Sequence, residues 1–193
     1  MSFRVLFVCT GNICRSPMAE RLFRARLEEL GGAAIESSSS GTRAVVGHEM
    51  DSAATLVLSE LGGDPDGHQA TQLEVDALRD ADLVLTADTE QRSYATRSLP
   101  SAMRRIFTVR EFARLGEGVA TDVGPPRPGP AGNRYRRRVA EVAARRGTGA
   151  PVSPGSDDIG DPFGAPLAEM RACGAVINES VDILCHIFGV GPG

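Results

Sequence analysis

Cys9 and Arg15 stand with five residues between them in Cys9-Thr10-Gly11-Asn12-Ile13-Cys14-Arg15-Ser16-Pro17. A sulfur nucleophile and a planar two-pronged cation at that separation suit attack on a centre bearing several anionic oxygens, such as phosphorus. The spacing alone is weak; the flanking residues sharpen it. Phe3 to Val8 is an almost continuous apolar run, and a helical pattern opens at Pro17. A loop between strand and helix gathers successive backbone N–H groups into an anion-binding concavity, and the helix N-terminus adds its dipole. Gly11 accepts any backbone angle, and Asn12 is one of the few residues at home in the left-handed region. Such donors, with the Arg15 guanidinium, favour the thiolate form of Cys9. Ser16, at the helix start, can donate to that sulfur or cap the helix.

A thiolate that takes a phosphoryl group onto itself needs a proton delivered to the departing oxygen, and then an activated water. One carboxyl group can serve both steps in turn. Asp161, in Asp157-Asp158-Ile159-Gly160-Asp161-Pro162-Phe163-Gly164, is the leading candidate. Pro162 biases the residue before it away from the helical region, so Asp161 is presented from an extended loop. Asp157 and Asp158 compete for the same role.

The elements that would hold these residues alternate in type. The run Phe3 to Val8 suits a buried parallel strand. From Pro17 to Leu30, Met18, Leu22, Leu27 and Leu30 share a helical face, Pro17 fits the first turn, and Gly31-Gly32 end the helix. Residues 33–40 form a weaker strand broken by Gly41. A helix over Asp51 to Leu61 closes at Gly62-Gly63, and another begins near Leu73. Strands at 81–86 and about 105–108, a helix from about Thr89 and a long C-terminal helix near 165–188 complete the pattern. Alternating strands and helices indicate an α/β domain with a parallel sheet, whose ligands bind at the carboxyl ends of the strands. The residues after Val8 lie at such an end.

At 193 residues, with 41% hydrophobic and 24% charged, the chain reads as one domain over 1–193. Residues 116–156 depart from its rhythm. They are rich in Gly, Pro and Ala, include Pro125-Pro126-Arg127-Pro128 and Arg136-Arg137-Arg138, and carry seven arginines against Glu117, Asp122 and Glu141. The simplest expectation is a solvated insertion with one short basic helix at about 133–146; a lid or docking surface for acidic or phosphorylated partners is the alternative.

Every basic side chain is one of 21 arginines, and the absence of lysine excludes a Walker-type nucleotide loop and a Schiff base. A net charge of -4 argues against a general nucleic-acid binder. No apolar run approaches the roughly 18 residues of a membrane span, and no signal peptide is visible, so a cytoplasmic protein with no membrane partner is expected. The four cysteines are expected to be reduced. His48, His68 and His186 are scattered, so no metal and no cofactor is expected.

The segment from Val8 to Pro17 resembles the signature of the low-molecular-weight protein tyrosine phosphatases, and Asp161-Pro162 resembles that family's late general-acid loop. The resemblance runs over most of the chain outside 116–156. It implies a four-stranded parallel sheet flanked by helices on both faces, no metal and no cofactor. It further implies Cys9 as nucleophile, Arg15 and Ser16 beside it, and Asp161 as acid and then base. Thr10, Gly11, Asn12, Ile13 and Cys14 would bind the phosphoryl group and Phe163 would face the substrate. Ser39 and His68 look like the partners that hold Asn12, joined by Ser16. Cys14 matches the family loop's second cysteine, which can form a reversible disulfide with the nucleophile. Cys173 and Cys185 read as core thiols. The substrate implied is a phosphotyrosine protein or a small phosphomonoester.

Three features depart from the family pattern. Phe163 is followed by Gly164 instead of a second aromatic, Ala44-Val45-Val46-Gly47-His48 supplies no aromatic wall, and the insertion is long. A protein-arginine phosphatase, a branch that also shows Asp-Pro-Phe-Gly, is the nearest rival; it carries threonine where this chain has Ile13. A thiol-dependent arsenate reductase would need a relay through Cys173 or Cys185, twelve residues apart on one probable helix. A phospho-binding module without catalysis would not require the acid.

Overall fold

The computed structural model describes residues 2–30, 34–122, 131–148 and 152–189. Its elements are β1 (Phe3–Cys9), α1 (Arg15–Glu29), β2 (Ile35–Gly41), α2 (Ser52–Glu60), α3 (Val75–Asp80), β3 (Leu83–Thr86) and α4 (Thr89–Ser98). A 3-10 turn (Pro100–Arg105), β4 (Ile106–Thr108), α5 (Val109–Asp122), α6 (Ala131–Ala144) and α7 (Leu167–Ile187) follow. The Gly31-Gly32 stop and the Pro125–Pro128 run lie outside the described residues.

Among the described residues the sheet has four strands, all parallel, in the order β2-β1-β3-β4. Each face has its own core, as the period-two alternation of β1 requires. Phe3, Val5 and Phe7 point into a core shared with α1, α2, α5, α6 and α7, while Leu6 and Val8 pack with Leu78, Ala95, Ala102 and Ile106 under α3, α4 and the 3-10 turn. The chain leaves β1 toward β2 on one side and returns to β3 on the other. The carboxyl ends of β1 and β3 therefore flank the topological switch point, where a crevice opens. No helix of the described residues is long and apolar enough to cross a membrane.

Two segments differ from expectation. Helix α5 was not foreseen, although Phe112, Ala113 and Val119 line its buried side. Gly116 lets α5 approach α7 closely, since a side chain there would collide with Ile187. The basic helix exists as α6, but it is not a solvated element. Tyr135, Val139 and Val142 are buried in the main core, and the Tyr135 ring lies 5.4 Å from Phe3 and 5.6 Å from Phe188. An apolar stripe at i, i+4 and i+7 outweighs the arginines around it, of which Arg138 is itself buried and Arg136 pairs with Asp82 at 2.7 and 3.1 Å.

Candidate active site

The loop from Cys9 to Arg15 joins β1 to α1 and turns at Asn12, whose φ of 56° is positive. Among the described residues no other non-glycine has a positive φ. That conformation is costly for most side chains and tolerable for asparagine. It aims the Asn12 N–H at the Cys9 sulfur, 3.2 Å away, while Ser16 Oγ approaches the same sulfur at 2.9 Å.

Asn12 is wholly buried and every polar group it carries is used. Its Nδ2 donates to Ser16 Oγ at 2.9 Å and to Ser39 Oγ at 3.0 Å, and its Oδ1 accepts from the Thr71 N–H at 2.8 Å. Its carbonyl accepts from His68 Nε2 at 2.8 Å. A carbonyl can only accept, so Nε2 carries the proton, and burial pushes the His68 imidazole below its ordinary range toward the neutral ring. Ser39 and His68 thus both meet Asn12, the serine at the side chain and the histidine at the backbone. Thr71, which sequence reasoning passed over, meets Asn12 through its N–H alone, while its hydroxyl donates to the Ser39 carbonyl at 3.1 Å.

The chain beyond β2 runs beside the loop and stiffens it. Thr42, Arg43 and Val45 donate N–H groups to the carbonyls of Cys9, Thr10 and Gly11 at 2.9, 3.0 and 3.0 Å. This approach requires Gly41, because a Cβ there would sit 2.5 Å from the Thr10 carbonyl oxygen. On the far side the Asp51 N–H donates to the Ile13 carbonyl at 2.9 Å, and the Asp51 carboxylate caps α2. Burial first, then Asp51, pushes the Cys14 thiol well above its ordinary value. All four cysteines are free thiols, and burial raises Cys173 to about 11 and Cys185 to about 12.

Arg15 is 4% exposed and both its terminal nitrogens have partners. One terminal nitrogen donates to Asp88 Oδ2 at 3.1 Å and to the Ile159 carbonyl at 2.9 Å. The other meets Asp161 Oδ2 at 2.9 Å. Arg15 therefore ties the end of β3 and the acidic loop to the cysteine loop. The acidic loop is also pinned to β3 by the Ile159 N–H, which donates to the Ala87 carbonyl at 2.8 Å.

The three competing aspartates are separated by their partners. Asp157 is held by both prongs of Arg114 at 2.7 and 3.0 Å, and Asp158 accepts from the Thr89 N–H at 2.8 Å at the start of α4. Asp161 alone of the three reaches Arg15, with its side chain half-exposed. Phe163 stands two residues on, 63% exposed.

Asp88 and Gln91 are additions that the sequence reading missed. Asp88 caps α4, accepting from the Gln91 N–H at 2.9 Å, while Gln91 Oε1 accepts from the Asp88 N–H at 3.1 Å. Gln91 Nε2 then reaches Thr10 Oγ1 at 3.1 Å. The Asp-x-x-Gln box directly after a strand was the available signal. Its second use, steering Arg15, depends on β3 lying next to β1.

The arrangement can present a sulfur to an oxyanion held by a helix N-terminus and a guanidinium, with a carboxyl group at the rim. The family model described as low molecular weight phosphotyrosine protein phosphatase matches residues 4–148, which include the cysteine loop and stop short of Asp161. A probable low molecular weight protein-tyrosine-phosphatase, AmsI of Erwinia amylovora, is 40% identical over 97 residues, 50% of this chain and 64% of that protein. A protein-arginine-phosphatase of Geobacillus stearothermophilus is 35% identical over 130 residues, 67% of this chain and 82% of the relative. The crystal structure of a low molecular weight protein tyrosine phosphatase from T. tengcongensis superposes with a TM-score of 0.69 at 30% identity, covering 95% of this chain and 97% of the other. The sheet order, the loop at its switch point and these matches agree: the chain belongs to the low molecular weight phosphotyrosine protein phosphatase family.

Proposed function

We propose that the protein hydrolyses phosphotyrosine-type monoesters through a cysteinyl-phosphate on Cys9. The observation that carries this reading is the 2.9 Å pairing of Arg15 with Asp161, which brings a carboxyl group to the loop that holds the sulfur. Substrate phosphoryl oxygens take the loop N–H groups and the Arg15 prong that Asp161 now occupies. The Cys9 sulfur attacks phosphorus, the S–P bond forms, and the P–O bond to the leaving group breaks as Asp161 delivers its proton to that oxygen. Asp161, now a carboxylate, takes a proton from water. The water oxygen bonds to phosphorus, the S–P bond breaks, and inorganic phosphate leaves with the thiolate restored. Ser16 Oγ, 2.9 Å from the sulfur, stabilises that departing thiolate.

Asp161→Asn tests the acid step. It is expected to lower turnover about 100-fold on an alkyl phosphate, whose leaving oxygen needs the proton, and far less on p-nitrophenyl phosphate. Equal losses on the two esters would remove Asp161 from the role.

The Geobacillus relative favours arginine phosphatase as a second reading. Ile13, half-buried in the cysteine loop, together with the exposed Val45 and Phe163, favours a flat apolar ring over a guanidinium. Phosphotyrosine peptides are expected to turn over faster than phosphoarginine peptides of the same sequence; the reverse order would transfer the assignment. A thiol relay for arsenate is disfavoured, because Cys173 and Cys185 are buried along α7 and burial holds both in the thiol form, a poor nucleophile.

A further inference from the structure

A basic groove leads away from the cysteine loop along α4. It starts in a pocket of about 230 Å³ lined by Thr10, Thr42, Arg43, Gln91, Tyr94 and Arg97. Arg97 also lines the next cavity, about 870 Å³, between α4, α5 and the residues that follow α6. Arg92, Arg114, Arg145 and Arg146 line that second cavity. Six arginines thus border the two spaces against Glu90 and Glu111, in a chain whose net charge is -4.

The arginines differ in what they already do. Glu111 is buried and shared by Arg92 at 2.8 Å and Arg146 at 2.9 Å. Arg146 also lies over the Phe107 ring at 3.7 Å and donates to the Met103 carbonyl, so it anchors the segment after α6 to the sheet edge. Arg114 is matched by Asp157. Arg43 and Arg97 are exposed, and their guanidinium groups have no hydrogen-bond or ion-pair partner among the described residues. A surface that concentrates one sign of charge, with unmatched guanidinium forks beside the reactive loop, draws ligands of the opposite sign.

We propose that this groove binds an acidic segment of the phosphoprotein substrate, next to the residue being dephosphorylated, with Arg97 and Arg43 as its specificity-determining side chains. The proposal rests on the phosphatase reading of the site. The segment enters past Tyr94 and the Arg43–Arg97 gap, where carboxylates take the two free forks, and continues toward Arg92 and Arg145. The segment from 131 to 148 thereby gains a role beyond packing, since it supplies the far wall.

Two arms test this. In the first, kcat/KM is measured on a phosphotyrosine peptide flanked by glutamates and on its glutamine counterpart, with p-nitrophenyl phosphate as the reference. The wild type is expected to favour the acidic peptide by about five- to tenfold at low ionic strength, and Arg97→Glu is expected to erase that preference. Turnover of p-nitrophenyl phosphate should be unchanged in Arg97→Glu, which also shows that the variant is folded. The second arm needs no catalysis. A fluorescent unphosphorylated glutamate-rich peptide is titrated by anisotropy into wild type, Arg97→Glu and Arg43→Ala, and both variants should bind it more weakly. No acidic preference in the wild type, or peptide binding unmoved by both substitutions, would overturn the groove. Loss of p-nitrophenyl phosphate turnover in the wild type would instead strike the phosphatase reading, leaving the anisotropy result to decide the groove.

Discussion

Cys9→Ser is expected to lower phosphatase turnover by about 10,000-fold or more while phosphate and vanadate still bind. The separation of the two effects follows from the loop. The Asn12 N–H, the Arg15 fork and the N-terminus of α1 remain in place when the sulfur is replaced, because Asn12 is held by Ser16, Ser39, Thr71 and His68 and not by Cys9 alone. Oxyanion binding is therefore retained and only the nucleophile is weakened, since a serine hydroxyl gives up its proton far less readily than a thiol. Vanadate should raise the melting temperature of both wild type and variant. Acid quenching of the wild type during turnover should leave one PO3 unit on Cys9, located by peptide mass mapping. Near-normal turnover in the variant, or the adduct on another residue, would refute the assignment.

Arg15→Lys is expected to lower kcat/KM by about 100- to 1,000-fold, although the charge is conserved. The guanidinium serves Asp88, the Ile159 carbonyl and Asp161 from two terminal nitrogens in one plane. An ammonium group is a single point at the end of a flexible stem and cannot span those directions while also gripping two phosphoryl oxygens. Both halves of the reaction should suffer: phosphate binding loses its fork, and the acidic loop loses the tie that holds Asp161 at the rim. Weaker inhibition by inorganic phosphate together with a lower kcat is the expected signature. An Asp88→Asn variant, which keeps the fork but loosens its aim, should show a smaller loss. Arg15→Lys activity within a few fold of wild type would mean that charge alone suffices.

The sequence by itself was enough for the α/β class, the parallel sheet and the cysteine loop. Each of these is written in local pattern: an apolar run, a Gly-Asn turn and a helix start carry their own signals. The choice among Asp157, Asp158 and Asp161 was open on residue chemistry alone, because three nearby carboxyls look alike until their partners are known. Tertiary structure separates them by engaging Asp157 with Arg114, giving Asp158 to Thr89 at the start of α4, and leaving Asp161 against Arg15. Asp88 likewise reads locally as a helix cap and acquires its hold on Arg15 only because β3 pairs with β1. The basic segment misled in the opposite direction. Its arginines dominate the composition, whereas three residues, Tyr135, Val139 and Val142, decide its burial. Burial is a property of the surface a helix meets, and the faces of α5, the 3-10 turn and β1 that receive α6 come together only in the folded chain.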